Sequence, residues 1–134
     1  MCLITTKNIP EIAQKDIVCY KFYILHKVYP PYEDAVLLSP YQDSPAPTIN
    51  KVTNTLLDRA YLSNYRATYI ISRGFHSFKY LDDLINELDF WQSFDIKIFR
   101  CIIPKGTKYY EGKFGDFPSY CSQSIILKET INIE

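Results

Sequence analysis

The chain has 134 residues, 15 basic and 15 acidic side chains, and an apolar fraction of 47%. This length fits a single domain over residues 1–134, and zero net charge with 22% charged residues excludes disorder caused by charge repulsion. A neutral chain also argues against binding nucleic acid by bulk charge. No apolar run approaches the length of a membrane span, so no membrane partner is expected.

The cysteines are far apart, without the close pairs that are typical of a zinc site. The first ten residues lack the basic and apolar regions of a signal peptide. We therefore expect reduced thiols, no bound metal and a cytoplasmic location. The cysteines concerned are Cys2, Cys19, Cys101 and Cys121.

The first half of the chain predicts strands separated by a long loop. Residues 16–25 carry apolar side chains on both alternating faces, which indicates a strand in the centre of a sheet. Residues 35–39 predict a second strand, and three prolines within residues 40–48 predict a loop. Residues 50–65 show apolar positions at helical spacing and predict a short helix.

The clearest helix is predicted in the middle of the chain. Residues 68–72 form a short β-branched and aromatic run, which predicts a strand. The helix is expected over about residues 78–91, with Ser77 as its N-cap. Its buried stripe is expected to consist of Leu81, Leu84, Ile85 and Leu88.

The last third predicts further strands. Residues 96–103 give the strongest strand pattern, followed by a turn at 104–106 and a return strand at 107–111 in a β-hairpin. Residues 112–120 predict a loop, and 124–133 predict a closing strand. The elements do not alternate regularly, so we expect an α+β domain. It should consist of a mostly antiparallel sheet of five to seven strands with one helix packed on it.

Charge is unevenly distributed although its sum is zero. Residues 81–95 contain five acids and no base, whereas residues 96–113 contain five bases and one acid. The basic segment is a candidate contact for a phosphate-bearing ligand or an acidic partner surface. Common phosphate-binding and hydrolase motifs are missing from the sequence, so whether the protein is an enzyme stays open.

A ligand site is predicted where three aromatic segments converge. They combine faces for stacking, a titratable histidine near a helix N-terminus and hydroxyl groups, a set suited to a nucleotide-like ligand. Basic side chains at the edge would contact phosphate. The candidate residues are Tyr20, Lys21, Phe75, His76, Ser77, Tyr120 and Ser122, with Lys105 and Lys108 at the edge.

Several motifs resemble those of a family of short, uncharacterised bacterial and bacteriophage proteins. The family pattern includes a first strand with Y-K, an S-P-Y-Q loop, G-F-H-[SA]-F, I-P-K-G-[ST]-x-Y-Y-x-G and Y-x-S-x-x-I. The resemblance implies a bacterial or phage origin and no particular activity. The matching segments are Tyr20–Lys21, Ser39–Gln42, Gly74–Phe78, Ile103–Gly112 and Tyr120–Ile125.

The order of elements is also similar to small ADP-ribosyltransferases of the rifampin-modifying type. The corresponding segments are Phe75–Phe78, Pro104–Gly106 and Tyr120–Ser122. This resemblance implies NAD as substrate and a carboxylate that stabilises the developing oxocarbenium ion. The closing strand offers Ser122-Gln123-Ser124 where an acid is expected, and the nearby acids are Glu111, Asp116 and Glu129.

The leading expectation is a non-enzymatic accessory protein of bacterial or phage origin. It would bind a protein partner or a nucleotide-like small ligand through its aromatic and basic surface, without a cofactor. Two alternatives remain open. One is an NAD-dependent ADP-ribosyltransferase-like enzyme or an inactive relative, and the other is a structural virion or assembly component.

Overall fold

The computed structural model describes residues 3–26, 36–38, 47–63 and 68–132. Within these ranges, twelve strands form one curled sheet, and every pairing between strands is antiparallel. The strands are β1 Leu3–Thr5, β2 Glu11–Ile12, β3 Ile17–His26, β4 Val36–Leu38, β5 Thr53–Asn54, β6 Asp58–Ser63, β7 Thr68–Arg73, β8 Phe75–Phe78, β9 Ile96–Ile103, β10 Lys108–Phe114, β11 Phe117–Ser122 and β12 Ser124–Ile131.

The order of strands across the sheet is β5-β12-β9-β3-β8-β11-β10-β1-β7-β6, with β2 paired to β10 and β4 to β3. The mostly antiparallel sheet with one helix is confirmed, but it has more strands than the five to seven predicted. Four strands are only two or three residues long, and of these only β4 was predicted, because the other three are too short to leave a hydrophobic pattern in the sequence.

The central pair of strands follows the sequence prediction closely. β9 has the predicted bounds, and β3 extends over the predicted region with apolar side chains on both faces. The two strands pair continuously from Ile17 opposite Ile103 to Ile24 opposite Ile96. β3 is also paired with β8, so it is central in the sheet as predicted.

The helix α1 is shorter than predicted and begins later. It spans Leu81–Glu87 and continues as a 3₁₀ turn, Leu88–Trp91. Residues 75–78 pair with β11, and this pairing places Ser77 inside a strand. The N-cap position is Tyr80, which makes no capping side-chain hydrogen bond, so the prediction for Ser77 is wrong. Leu84 is fully buried as expected, whereas Leu88 is only half-buried.

Three other predictions are corrected. Within residues 50–63 the chain forms β5 and β6, because pairing with β12 and β7 overrides the helical spacing of the apolar residues. β10 does not return along β9 but pairs with β11, β1 and β2, so the hairpin after residue 103 is wrong. β10 and β11 together occupy most of the predicted loop at 112–120. The loop predicted at 40–48 lies mostly outside the described residues.

Side chains alternate between two faces of the sheet, and residues paired across strands share a face. The "helix face" is the one that α1 covers through Leu84. The "lysine face" is the opposite one, which contains the buried Lys21. The helix face includes Tyr20, Phe22, His76, Phe78, Phe114 and Cys121; the lysine face includes Cys19, Lys21, Tyr23, Phe75, Ser77, Phe99, Cys101, Tyr120 and Ser122.

Candidate functional site

Three adjacent strands bring the sequence-predicted ligand segments together. β8 lies between β3 and β11, with Tyr20 opposite Phe78 and Tyr120 opposite Ser77. The predicted convergence of these segments is therefore confirmed. The sequence signals were the central strand pattern of β3 and the aromatic residues around β8 and β11.

The alternation of side chains nevertheless divides the predicted site. Five of its members lie on the lysine face: Lys21, Phe75, Ser77, Tyr120 and Ser122. Tyr20 and His76 lie on the helix face, across the thickness of the sheet. Tyr20, His76 and Tyr120 therefore do not border a common pocket, and the single-pocket hypothesis is wrong in that respect. Binding of a ligand by the five lysine-face residues stays a prediction.

Lys21 is an ionisable side chain in the interior of the sheet. The residue is 6% exposed, and its ammonium group donates a hydrogen bond to the backbone carbonyl of His76. It also lies 5.4 Å from the centroid of the Tyr23 ring. Burial lowers the pKa of Lys21, and the neighbouring thiols, of which Cys101 has the largest effect, oppose that decrease.

Three buried thiols interact with this ammonium group, and two of them, Cys19 and Cys101, lie on the same face of the sheet as Lys21. Cys19 and Cys101 are directly opposite one another on β3 and β9, and both are completely buried. Burial opposes ionisation of Cys19, but the adjacent Cys101 thiol and Ser77 hydroxyl and the charge of Lys21 together lower its pKa. Burial raises the pKa of Cys101, and its hydrogen bond with Cys19 adds to the increase.

The hydroxyl groups of the lysine face are also buried. Ser77 and Ser122 have no exposed surface, and their Oγ atoms have no geometrically defined hydrogen-bond acceptor or donor within the described residues. The Ser77 hydroxyl lies beside the Cys19 thiol, whose pKa it lowers. Buried hydroxyls without satisfied hydrogen bonds are costly, so this arrangement is not explained by packing alone.

His76 occupies an aromatic environment on the helix face. Its ring centroid is 4.4 Å from that of Phe114 and 5.1 Å from that of Phe78. Burial, with a further contribution from the charge of Lys21, lowers its pKa well below 6.5. Because β8 ends at Phe78 and α1 begins at Leu81, His76 does not stand at a helix N-terminus as predicted.

The predicted basic edge is not assembled. Lys105 lies in an exposed turn, where its backbone N–H donates to Asp16 Oδ1 at 2.9 Å. Lys108 is exposed at the start of β10, opposite Ile12, and alternation places it on the face away from Tyr109 and Ser122. The two lysines therefore do not point to the lysine-face hydroxyls.

A surface groove lies along β1 and β10, and no motif in the sequence indicated it. It has a volume of about 360 Å³ and is lined by Ile4, Thr5, Thr6, Glu111, Gly112, Lys113 and Gly115. The two strands approach so closely that a Cβ at residue 112 would lie 2.2 Å from the carbonyl oxygen of Ile4. Glu111 is opposite Tyr120 and accepts a hydrogen bond from Lys79 Nζ at 2.9 Å, so the groove adjoins the lysine face.

An exposed aromatic surface follows α1. Phe90 is 80% exposed and Phe94 is 50% exposed, and both are adjacent in sequence to an exposed acid. We call this the acidic aromatic surface, and it consists of Asp89, Phe90, Phe94 and Asp95. The sequence signal was the acidic composition of residues 81–95, but exposure of the two phenylalanines could not be inferred from it.

The described part of the chain gives no indication of a metal site or a membrane span. No group of three or more metal-ligating side chains occurs among the described residues. No helix in those ranges is long and apolar enough to cross a membrane. Comparison of the chain with family models, curated proteins and solved structures gave no match. The functional assignment therefore depends on the geometry of the two faces and the acidic aromatic surface.

Proposed function

We propose that this is a non-enzymatic accessory protein that binds a basic partner protein through the acidic aromatic surface. The observation that carries the proposal is the exposure of Phe90 and Phe94, at 80% and 50% of their surface. Large aromatic side chains exposed within one short segment are typical of protein interfaces, where burial in a partner pocket supplies much of the binding energy.

The aromatic surface is held in place by the sheet below it. The Trp91 ring packs against Phe22 with 6.1 Å between centroids and against Phe94 with 5.6 Å. The backbone N–H of Phe94 donates to the Trp91 carbonyl at 3.0 Å, and Leu25 N–H on β3 donates to the Asp95 carbonyl at 2.8 Å. A surface that is already ordered loses less conformational entropy when it binds.

Charge indicates the chemistry of the partner. Asp89 and Asp95 flank the phenylalanines, and residues 81–95 contain no lysine or arginine. A partner with apolar pockets surrounded by basic side chains would complement this surface, with an association rate that falls as salt is raised. This differs from the expectation of an aromatic and basic surface, because the exposed phenylalanines lie on the acidic segment.

The test compares exposed apolar residues at two places. A partner captured from host lysate would be purified, and its affinity measured for the wild type, for Phe90→Ser/Phe94→Ser and for Ile12→Ser. Ile12 is 54% exposed and lies on β2, away from the 3₁₀ turn. We expect the double variant to bind at least about tenfold more weakly, equivalent to about 1.4 kcal/mol.

Two results would contradict the proposal. One is equal binding by the double variant. The other is an equal loss in the Ile12→Ser control, which would indicate that general surface hydrophobicity drives capture. An Asp89→Asn/Asp95→Asn variant should bind more weakly at low salt, and its deficit should shrink as salt is raised. Size-exclusion chromatography of the wild type tests the alternative that the protein is a structural virion or assembly component, because such a component would form defined oligomers.

A second candidate is an NAD-dependent ADP-ribosyltransferase-like enzyme or an inactive relative. It is favoured by the position of Glu111, a carboxylate opposite Tyr120 and beside the groove. The carboxylate is paired with Lys79, which lowers its suitability for stabilising a cation. Two results together would support this candidate. NAD should raise the melting temperature of both the wild type and Glu111→Gln, and only the wild type should hydrolyse NAD. No shift at millimolar NAD would count against it.

A further inference from the structure

The thiols of Cys19 and Cys101 form a dithiol in the centre of the sheet. They are on paired residues of β3 and β9, and directly opposite residues in an antiparallel pair have Cα atoms about 4.5–5.5 Å apart. That separation lies within the range of about 4.4–6.8 Å that disulfide bonds require. The register therefore brings the thiols within bonding reach without a change in the pairing of the strands.

We propose that Cys19 and Cys101 are a redox-modification site, which a peroxide oxidises to a cross-strand disulfide. Cys19 is the attacking thiol, because the Ser77 hydroxyl adjoins it in addition to the Lys21 ammonium group that both thiols share, and both groups stabilise a thiolate. Cys101 is the resolving thiol. It has no exposed surface, and its Sγ donates to the Phe99 carbonyl at 3.6 Å.

The chemistry balances with one peroxide per disulfide. The Cys19 thiolate attacks one peroxide oxygen, an S–O bond forms, and the O–O bond breaks. Sulfur is oxidised to a sulfenic acid, and the leaving hydroxide takes a proton to become water. The Cys101 sulfur then attacks the Cys19 sulfur, the S–S bond forms, and the S–O bond breaks. The second hydroxide leaves as water with the proton of the Cys101 thiol.

Access to the pair requires a local opening of the sheet. Both side chains have no exposed surface, so peroxide reaches them when β3 and β9 separate transiently. We therefore expect slow oxidation under native conditions. The disulfide would join the central strands and restrict the unfolded chain, so the oxidised protein should unfold at a higher temperature.

Cys121 provides a matched internal control. It is 2% exposed, similar to the pair, but it lies on the helix face opposite His76, where it packs in a cluster with Leu3, Ile71 and Tyr110. Alternation places its side chain across the sheet from those of Cys19 and Cys101, so it does not share their strand pairing. Burial alone predicts similar behaviour for all three thiols, whereas the proposal predicts that only two react.

The experiment treats the folded full-length protein with hydrogen peroxide and follows its intact mass and its peptides under non-reducing conditions. We expect the mass of two hydrogen atoms to be lost and a peptide linking Cys19 to Cys101 to accumulate, with Cys121 still alkylatable. Cys101→Ser should instead trap a sulfenic acid on Cys19, detectable with a dimedone probe. Cys19→Ser should abolish modification of Cys101, and Cys121→Ser should behave like the wild type.

Oxidation of Cys121 as fast as the pair, or Cys19 and Cys101 that both stay alkylatable after prolonged exposure, would overturn the proposal. A linked peptide that forms only in denaturant would also overturn it, because the native register would then play no part. If a serine variant fails to fold by circular dichroism, Cys19→Ala and Cys101→Ala serve instead. Peptide mapping of the wild type tests the connectivity without any substitution.

Discussion

The two faces of the sheet use buried residues in different ways. Under α1, the helix face is a continuous cluster of apolar side chains that includes Phe22, Phe78 and Leu84. The lysine face has a comparable apolar cluster around Tyr23 and Phe99. It also buries an ammonium group, two adjacent thiols and two serine hydroxyls.

The helix face also contains the His76 ring and the buried Cys121 thiol, but only the lysine face buries an ammonium group. An apolar cluster stabilises the fold by removing surface from water, and each aromatic contact adds to that effect. Buried polar groups contribute little or reduce stability unless all their hydrogen bonds are made. Burial of the polar groups on the lysine face therefore carries a desolvation cost that the apolar cluster under α1 does not have. Four measurements test or refine this comparison.

The largest effect is expected on the helix face. Phe78 is 1% exposed, and its ring contacts those of Phe22, Phe114 and Phe117 at centroid distances of 6.1–6.4 Å. Phe78→Ala should lower the free energy of unfolding by about 3–5 kcal/mol, as measured by urea denaturation, because it leaves a cavity in the aromatic cluster. Phe90→Ala at the exposed surface is the control and should change it by less than about 0.5 kcal/mol. Similar values for the two variants would contradict the assigned packing.

On the lysine face we expect a substitution to leave the free energy of unfolding unchanged or to raise it. Lys21→Met retains most of the side-chain volume and removes a buried charge, so at neutral pH it should be neutral or stabilising by about 1–4 kcal/mol. The pKa of Lys21 is lowered from 10.5 in the folded state, so the unfolded state binds more protons as pH approaches 10.5. Wild-type stability should therefore rise relative to the variant over that alkaline range. A loss of more than about 2 kcal/mol in the variant would show that the ammonium group is stabilising.

A smaller, pH-dependent effect is expected at His76. Its folded-state pKa is well below 6.5, so below pH 6.5 the unfolded state takes up a proton that the native state does not. Stability is lost as pH falls, by at most about 1.4 kcal/mol per pH unit. Urea denaturation of the wild type and His76→Gln from about pH 7 to about pH 5 measures the difference. Parallel curves for the two proteins would mean that His76 titrates normally.

The smallest effect is expected at the border of the groove. Lys79 Nζ and Glu111 Oε1 are 2.9 Å apart, with side chains 36% and 41% exposed. A double-mutant cycle with Lys79→Met and Glu111→Gln should give a coupling free energy of about 0.2–1 kcal/mol that falls at high salt. The Glu111 hydrogen bond raises the pKa of Lys79, so the coupling should be present at neutral pH and lost above the folded-state pKa of the lysine. Coupling insensitive to salt would argue for a less solvated pair.

The candidate site could be predicted only in part. The sequence placed Lys21 on a central strand and correctly brought β3, β8 and β11 together. It could not assign faces within residues 75–78, because these were interpreted as a turn before a helix. A shift of one residue moves every side chain of a strand to the other face, and only the pairing of Tyr120 with Ser77 fixes that choice.

The sequence by itself determined the long strands β3 and β9 and the apolar stripe of α1, because hydrophobic periodicity is a local property of the chain. Only the tertiary structure decided that residues 53–54 and 58–63 are strands and that β10 pairs with β11 rather than β9. Those choices depend on which distant strands compete for the same backbone hydrogen bonds. The tertiary structure also decides the pairing of Cys19 with Cys101 and the exposure of Phe90, because burial and strand register exist only once the sheet has assembled.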